Sequence, residues 1–346
     1  MRLLVLPLLL IVALLSVDAL SSSPVRVGLR VRVADKILST IFGNKFLFNI
    51  AKNGARNKMF NQGLSINIDW NKNRLLLENE IESLTKNFDK IVNKDLINDY
   101  PSYYLKAFHA YDEGNLSWQA AMEVESAALT VHAPIFVKTK GLLDRNGDLT
   151  LRDNFHMNML YMFNKMNFKP KKILDIGCST GLSTLKLHET FPNAEIIGLD
   201  LSPYFLAVAN YELQTKTDLF DARKYVSYLH CNGEDTTMGR GDVDMVSMCL
   251  ISHELPESAS RNVFQEAYDI LPSGGVLSLM DMDPLSEDFK KFASNPFAFA
   301  AFKSTEPWIQ EYVRMDLVQQ LRKVGFEDIQ VMPNSARHRT VVAVKR

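Results

Sequence analysis

The chain has 346 residues, with 39 Lys and Arg against 40 Asp and Glu, a formal net charge of −1. That length holds one large domain with an accessory segment. The balanced charge, with no long basic stripe, argues against nucleic acid as a partner. Three cysteines, Cys178, Cys231 and Cys249, are odd in number and lack paired spacing, so neither a disulfide framework nor a zinc site is expected.

Met1-Arg2 precedes a nearly unbroken apolar run, Leu3 to Val17, followed by Asp18-Ala19. A charged start, a short apolar core and a small residue read as a signal peptide, residues 1–19. The alternative is an uncleaved anchor, but the run is shorter than the ~20 apolar residues of a spanning helix. No stable membrane span is expected after processing. Residues 20–34 are rich in Ser, Val and Arg and contain no acid, the composition of an organelle transit peptide. A two-part presequence of this kind is similar to those of algae with complex plastids. The plastid is thus the expected compartment, with the ER lumen or secretion as the alternative.

Residues 35–148 read as a helical cap. Leu75, Leu76, Leu77, Ile81, Leu84, Phe88 and Ile91 form a helical stripe within Asn73–Leu96. Tyr103, Tyr104, Phe108, His109 and Tyr111 follow as a dense aromatic group beside Asp112-Glu113. Most of them read as core between the cap and the next domain, while Tyr104 and His109 are candidates for contact with a bound acceptor. Ser117 is a candidate N-cap for a helix over Trp118–Val131, and Leu149–Met166 reads as the helix entering the first strand.

Residues 149–346 alternate strand and helix patterns, the signature of a doubly wound α/β sheet. Strands are expected near 172–176, 195–199, 226–230, 243–249 and 275–280, with an antiparallel hairpin over Phe326–Met332 and Thr340–Val344. The first apolar run ends in Asp175-Ile176-Gly177-Cys178-Ser179-Thr180-Gly181, and the second ends in Asp200, with Ser202-Pro203 opening a helix. In such a βαβ unit a nucleotide-like ligand sits beyond the strand ends, and the acid closing the second strand accepts hydrogen bonds from a ribose diol. A dinucleotide turn needs G-x-G-x-x-G to seat its pyrophosphate on a helix N-terminus. Here an acid precedes the first glycine, which repels a pyrophosphate but suits a cationic amino-acid group. S-adenosylmethionine matches that demand.

These residues make the chain resemble the class I S-adenosylmethionine-dependent methyltransferases, over about residues 150–346. The resemblance implies a Rossmann-like seven-stranded sheet with an antiparallel C-terminal hairpin. It assigns cofactor contacts to Asp175, Gly177, Cys178, Ser179 and Gly181, to Asp200 and Leu201, and to Asn232, Gly233 and Glu234 after the third strand. Ser179 departs from the family, which commonly has glycine there. The segments FHAYDEGNLSW, GLDLSPYFLAVA, HELP, MDMDP, KSTEPW and RHRT are similar to a group of cyanobacterial and plastid small-molecule methyltransferases, extending the match to about residues 50–345.

The acceptor side is less constrained. His253, in the loop after the fourth strand, is a candidate general base, since histidine titrates in the useful range. It could equally order that loop, and Glu254 reads as an orienting residue. Arg337 and Arg339 flank His338 in the expected hairpin turn and could hold a carboxylate. Asp281 and Asp283 invite a magnesium site, but the fourth strand ends without a carboxylate, so no metal is expected. The insertion Pro284–Trp308, with Phe292, Phe297, Phe299 and Phe302, suggests an apolar lid.

Two acceptor classes stay open. The first, favoured by the Arg337 and Arg339 cluster and the two-part presequence, is a small carboxylate-bearing metabolite, such as a thioether acid methylated on sulfur to a sulfonium osmolyte. The other is an apolar plastid quinone, phenol or pigment methylated on carbon or oxygen. A nicotinamide dehydrogenase would need the absent glycine spacing, and a catalytically silent cofactor-binding protein would be expected to lose Asp175 and Asp200. Oligomeric state is not legible.

Overall fold

The computed structural model describes residues 45–346, apart from 110, 296–298, 300, 301 and 304. The leader and transit-like segments expected at 1–34 lie outside the described residues. Seven strands form one sheet: β1 (Lys172–Ile176), β2 (Glu195–Asp200), β3 (Val226–His230), β4 (Met245–Cys249), β5 (Val276–Met282), β6 (Phe326–Pro333) and β7 (His338–Lys345). Their order is β3-β2-β1-β4-β5-β7-β6. The first five run parallel, and β7 is antiparallel to both β5 and β6. Strand order reverses between β1 and β4, which opens a crevice at their carboxyl ends.

The helices explain why the central strands are so deeply buried. All eight residues of β7 and all five of β4 are buried, as a sheet covered on both faces requires. Helices α1 (Lys45–Ser65), α2 (Trp70–Glu78), α3 (Ile81–Ile91), α4 (Trp118–His132) and α5 (Val137–Lys140) form the cap. Helices α6 (Gly147–Met166), α7 (Leu182–Thr190), α8 (Pro203–Thr215), α9 (Glu257–Ile270), α10 (Glu287–Ala293), α11 (Ile309–Arg314) and α12 (Leu317–Val324) belong to the sheet domain. Ser117 caps α4 by accepting from the Ala120 N–H, and Ser202 caps α8 by accepting from Phe205, each satisfying an otherwise orphaned donor.

Three details differ from the sequence expectations. The apolar stripe over 73–96 is shared by two helices, parted at Asn79-Glu80, because only part of it finds a partner. Leu84 is fully buried with Phe205 and Val208 of α8, while Leu75 and Leu76 are 52% and 58% exposed. In the insertion, Phe289 is buried and Phe299 and Phe302 pack against the main core under β4 and β5. The described rings therefore close the core rather than form an exposed apolar lid; Phe297 lies outside the described residues. Finally, His338 and Arg339 stand within β7, paired with Met282 and Asp281 of β5. The turn itself is shorter than expected and ends at Arg337.

Candidate functional site

Three strand ends build the crevice. At β1 the chain turns through left-handed backbone at Gly177 (φ 72°), Ser179 (φ 51°) and Gly181 (φ 91°). A Cβ on Gly177 would lie 2.5 Å from the Ile251 side chain, and one on Gly181 would lie 2.2 Å from the Tyr228 hydroxyl. Both conformation and space therefore demand glycine. The N–H groups of Gly177 and Cys178 donate to the Leu199 carbonyl at 2.7 and 3.0 Å, tying the turn to β2. Ser179 adopts the same left-handed region, which explains why glycine also suits that position.

Asp175 is fully buried beneath this turn. Its Oδ2 accepts hydrogen bonds from Ser183 Oγ (2.6 Å) and Thr184 Oγ1 (2.8 Å), clamping the start of α7. Its Oδ1 and the Ser179 hydroxyl are buried without a partner. Burial pushes the Cys178 thiol well above its ordinary range, with the Asp200 charge adding to that rise. Cys178 thus lines the turn as a small inert hydrophobe.

At the end of β2, Asp200 Oδ2 accepts from the Ser179 N–H at 2.9 Å, and Oδ1 accepts from the Ser202 N–H at 2.8 Å. The Tyr104 hydroxyl donates to Oδ1 at 3.4 Å. Burial raises the Asp200 carboxyl to about 6, although the two N–H groups oppose that rise. The Asn93 N–H donates to His230 Nδ1 (2.8 Å), so Nε2 carries the proton and donates to the Leu201 carbonyl (3.0 Å). After β3, Asn232 Oδ1 accepts from the Glu234 N–H (3.0 Å), and Gly233 lets the loop pass close to Ile176. Glu234 accepts from the Tyr103 hydroxyl (2.6 Å) on one oxygen and from Asn262 Nδ2 (2.7 Å) on the other. One cap segment thus places Tyr103 and Tyr104 on the carboxylates of two adjacent strand ends.

Beyond β4 and β5 lies a second polar group. His253 sits on the short turn Ser252–Glu254, with its ring Nδ1 2.8 Å from Asp281 Oδ1 and its N–H donating to Asp281 Oδ2 at 3.2 Å. Burial alone would lower the imidazole's pKa; the Asp281 carboxylate outweighs it and lifts the value to about 9. Tyr312 donates to the Met282 carbonyl at 2.5 Å, and its ring lies 6.2 Å from His253. Arg339 is buried, with Nη1 3.8 Å from Asp283 and Nε without a partner. Arg337 is half-buried; burial lowers its guanidinium pKa, while Asp288 opposes that change.

From the cap, His109 reaches the same place. Its backbone is left-handed (φ 50°) and its N–H donates to the Thr305 carbonyl. Its Nε2 lies 2.9 Å from Glu306 Oε1 and 3.6 Å from Glu254 Oε1. Burial acts to lower the His109 value, but the two carboxylates raise it overall. Glu254 is pushed up, chiefly by its own burial.

The crevice thus gathers Asp175, Asp200, Glu234 and Tyr104 at one end, and His253, Glu254 and His109 at the other. Sequence reasoning did not foresee Asp281 as the partner of His253, Tyr103 as the partner of Glu234, or Glu306 at all. The β5 register was the available signal for Asp281, which stands one residue before that strand's end.

A methyltransferase-domain family model matches residues 173–275. An uncharacterized methyltransferase of Synechocystis is 24% identical over 156 residues, 45% of this chain and 66% of its own length. Trans-aconitate 2-methyltransferase of Methylobacterium radiotolerans is 29% identical over 136 residues, 38% of this chain and 47% of its own. The chain therefore spans between about half and two thirds of the length of these curated relatives. Among solved structures, a SAM-dependent methyltransferase from Aquifex aeolicus overlays 64% of this chain and 98% of its own at 16% identity, with a TM-score of 0.44.

Proposed function

We propose that this chain is a class I S-adenosylmethionine-dependent methyltransferase, a reading supported by the methyltransferase-domain match over residues 173–275, and that it methylates a small-molecule acceptor at an atom that gives up a proton to His253. The residues at the β1 and β2 ends fit the cofactor. Asp175 Oδ1 and Ser179 Oγ are buried and unpartnered, and Asp200 and Glu234 add two more carboxylates at the neighbouring strand ends, while the cation acting on Asp175, Arg152, is itself paired with Asp148. That acceptor-rich set suits a cationic ligand bearing ammonium and hydroxyl groups. Asp200 and Glu234 would receive the hydroxyl and amino donors, and the glycine turn would admit close approach. When bound, S-adenosylmethionine supplies an electrophilic methyl group on a sulfonium.

The His253–Asp281 pair carries this reading. Asp281 engages Nδ1 and the backbone N–H together, so the ring is fixed in place and Nε2 is left to meet an acceptor. A positioned histidine can take a proton as the new bond forms, an effect of about 10²–10⁴-fold. With a pKa of about 9 the ring is mostly charged at neutral pH, so proton acceptance grows as pH rises toward that value. Tyr103 and Tyr104, closing from the cap, exclude water from the strand ends.

A second reading takes a carboxylate-bearing thioether as acceptor, methylated on sulfur. It draws support from Arg339, whose buried Nε has no partner. No proton leaves in that reaction, and His253 would only position the substrate. An apolar plastid quinone or phenol draws less support, since the described phenylalanines of the insertion pack into the core. Labelled S-adenosylmethionine, metabolite and lipid extracts and the His253→Gln variant separate these readings. Lost turnover with unchanged S-adenosylhomocysteine affinity supports the base. Retained turnover with label in a small anion refutes it in favour of sulfur. A plastid location is part of this proposal and rests on the presequence composition; fluorescence of a tagged full-length chain outside the plastid would exclude it.

A further inference from the structure

The group formed by His109, Glu254 and Glu306 has a polar surplus that the fold does not use. Glu306 is 5% exposed, and its Oε1 is taken by His109 while its Oε2 has no hydrogen-bond partner. A buried carboxylate oxygen left unpartnered is costly, and the positive φ of His109 adds backbone strain to the same place. The charges of the group are also uneven. Asp281 pairs with His253 and Glu306 with His109, and Glu254 stands 3.6 Å from an imidazole that already has a closer partner. Two carboxylates thus converge on one imidazole beside the proposed base.

We propose that Glu306 and Glu254 form a binding subsite for an ammonium group of the acceptor, which makes a small amine or amino acid the substrate class. This rests on the methyl-transfer reading above. An ammonium offers three donors and no acceptor, so it can satisfy Glu306 Oε2 and Glu254 together, whereas a carboxylate head would be repelled. Burial holds the Glu254 carboxyl partly protonated in the absence of such a partner, and an added cation would draw it back to the charged form.

The test uses butylammonium, butanol and butyrate, which share a carbon skeleton and differ only in the polar head. Their binding to the full-length chain is read by saturation-transfer NMR, with and without saturating S-adenosylhomocysteine. Butylammonium is expected to bind about tenfold more tightly than butyrate, with butanol between them. Glu306→Gln should raise the butylammonium Kd about tenfold and leave that of butanol within about twofold. Glu306→Asp, which keeps the charge, should preserve the order of preference. Equal binding of the three probes, no binding of any, or an unchanged preference in Glu306→Gln would overturn the proposal. Calorimetry with S-adenosylhomocysteine reports separately on the methyl-transfer reading, because it does not depend on the head-group preference.

Discussion

The His253–Asp281 pair makes a prediction whose size follows from its geometry. The ring is held at about 9 against an ordinary value of 6.5. At ~1.36 kcal/mol per pH unit, that rise corresponds to a few kcal/mol. Since burial pulls the other way, the combined attraction of Asp281 and, to a smaller extent, Glu254 and Glu306 must exceed that figure. Asp281→Asn leaves burial in place and removes the largest of the opposing charges, leaving Glu254 and Glu306, so the His253 pKa should fall well below about 9. The stability consequence has a definite sign. A histidine whose folded pKa is raised contributes fully below about 6.5 and loses that contribution as pH rises through about 9. The wild-type chain should therefore lose on the order of a few kcal/mol from this group between those limits, and the variant markedly less. Carbon-13 NMR of the ring reports the titration, and denaturant unfolding across the same pH range reports the stability. A variant ring still titrating above 8, or a stability difference that does not vary with pH, would refute the assignment.

Two further substitutions test the cofactor end. Asp200→Ala removes the carboxylate that joins the Ser179 and Ser202 N–H groups and is expected to weaken S-adenosylhomocysteine binding at least about tenfold by calorimetry; unchanged affinity would sink the assignment of Asp200 to that ligand. Gly181→Ala places a Cβ 2.2 Å from the Tyr228 hydroxyl at a φ of 91°. It should destabilise the fold by more than the about 1–2 kcal/mol of left-handed strain alone. Adding Tyr228→Phe should recover part of the loss, and no recovery would show that the clash is not the cause.

What the sequence revealed and what it withheld divide along the range of the interactions involved. The turn from Asp175 to Gly181 and the acid at Asp200 were legible because each depends on neighbours within a few residues and on the period of a strand. The sheet followed, since a strand, turn and helix repeated along the chain leaves few topologies to choose from. The division of the 73–96 stripe was not legible. Its seven apolar side chains satisfy a helical period equally well, and only contact with α8 decides that Leu84 is buried while Leu75 is exposed.

The acceptor end shows the same limit more sharply. Asp281 could be seen at the end of a strand, but its partner lies 28 residues away across the β4–β5 register. Glu306 stands within an insertion rich in phenylalanine, and it meets His109 of the cap, a residue far earlier in the chain. A single carboxylate outside any helix or strand pattern gives no periodic signal. Its meaning arises only where folding leaves one oxygen buried and unanswered. The cofactor end of such a site is thus written locally, in turns and strand ends, and acceptor choice is written in contacts between distant segments. Variants at Asp200 and Gly181 should therefore disturb cofactor binding whatever the acceptor, while variants at Glu306 and His253 should leave cofactor affinity unchanged and alter which acceptor is bound and how it loses its proton.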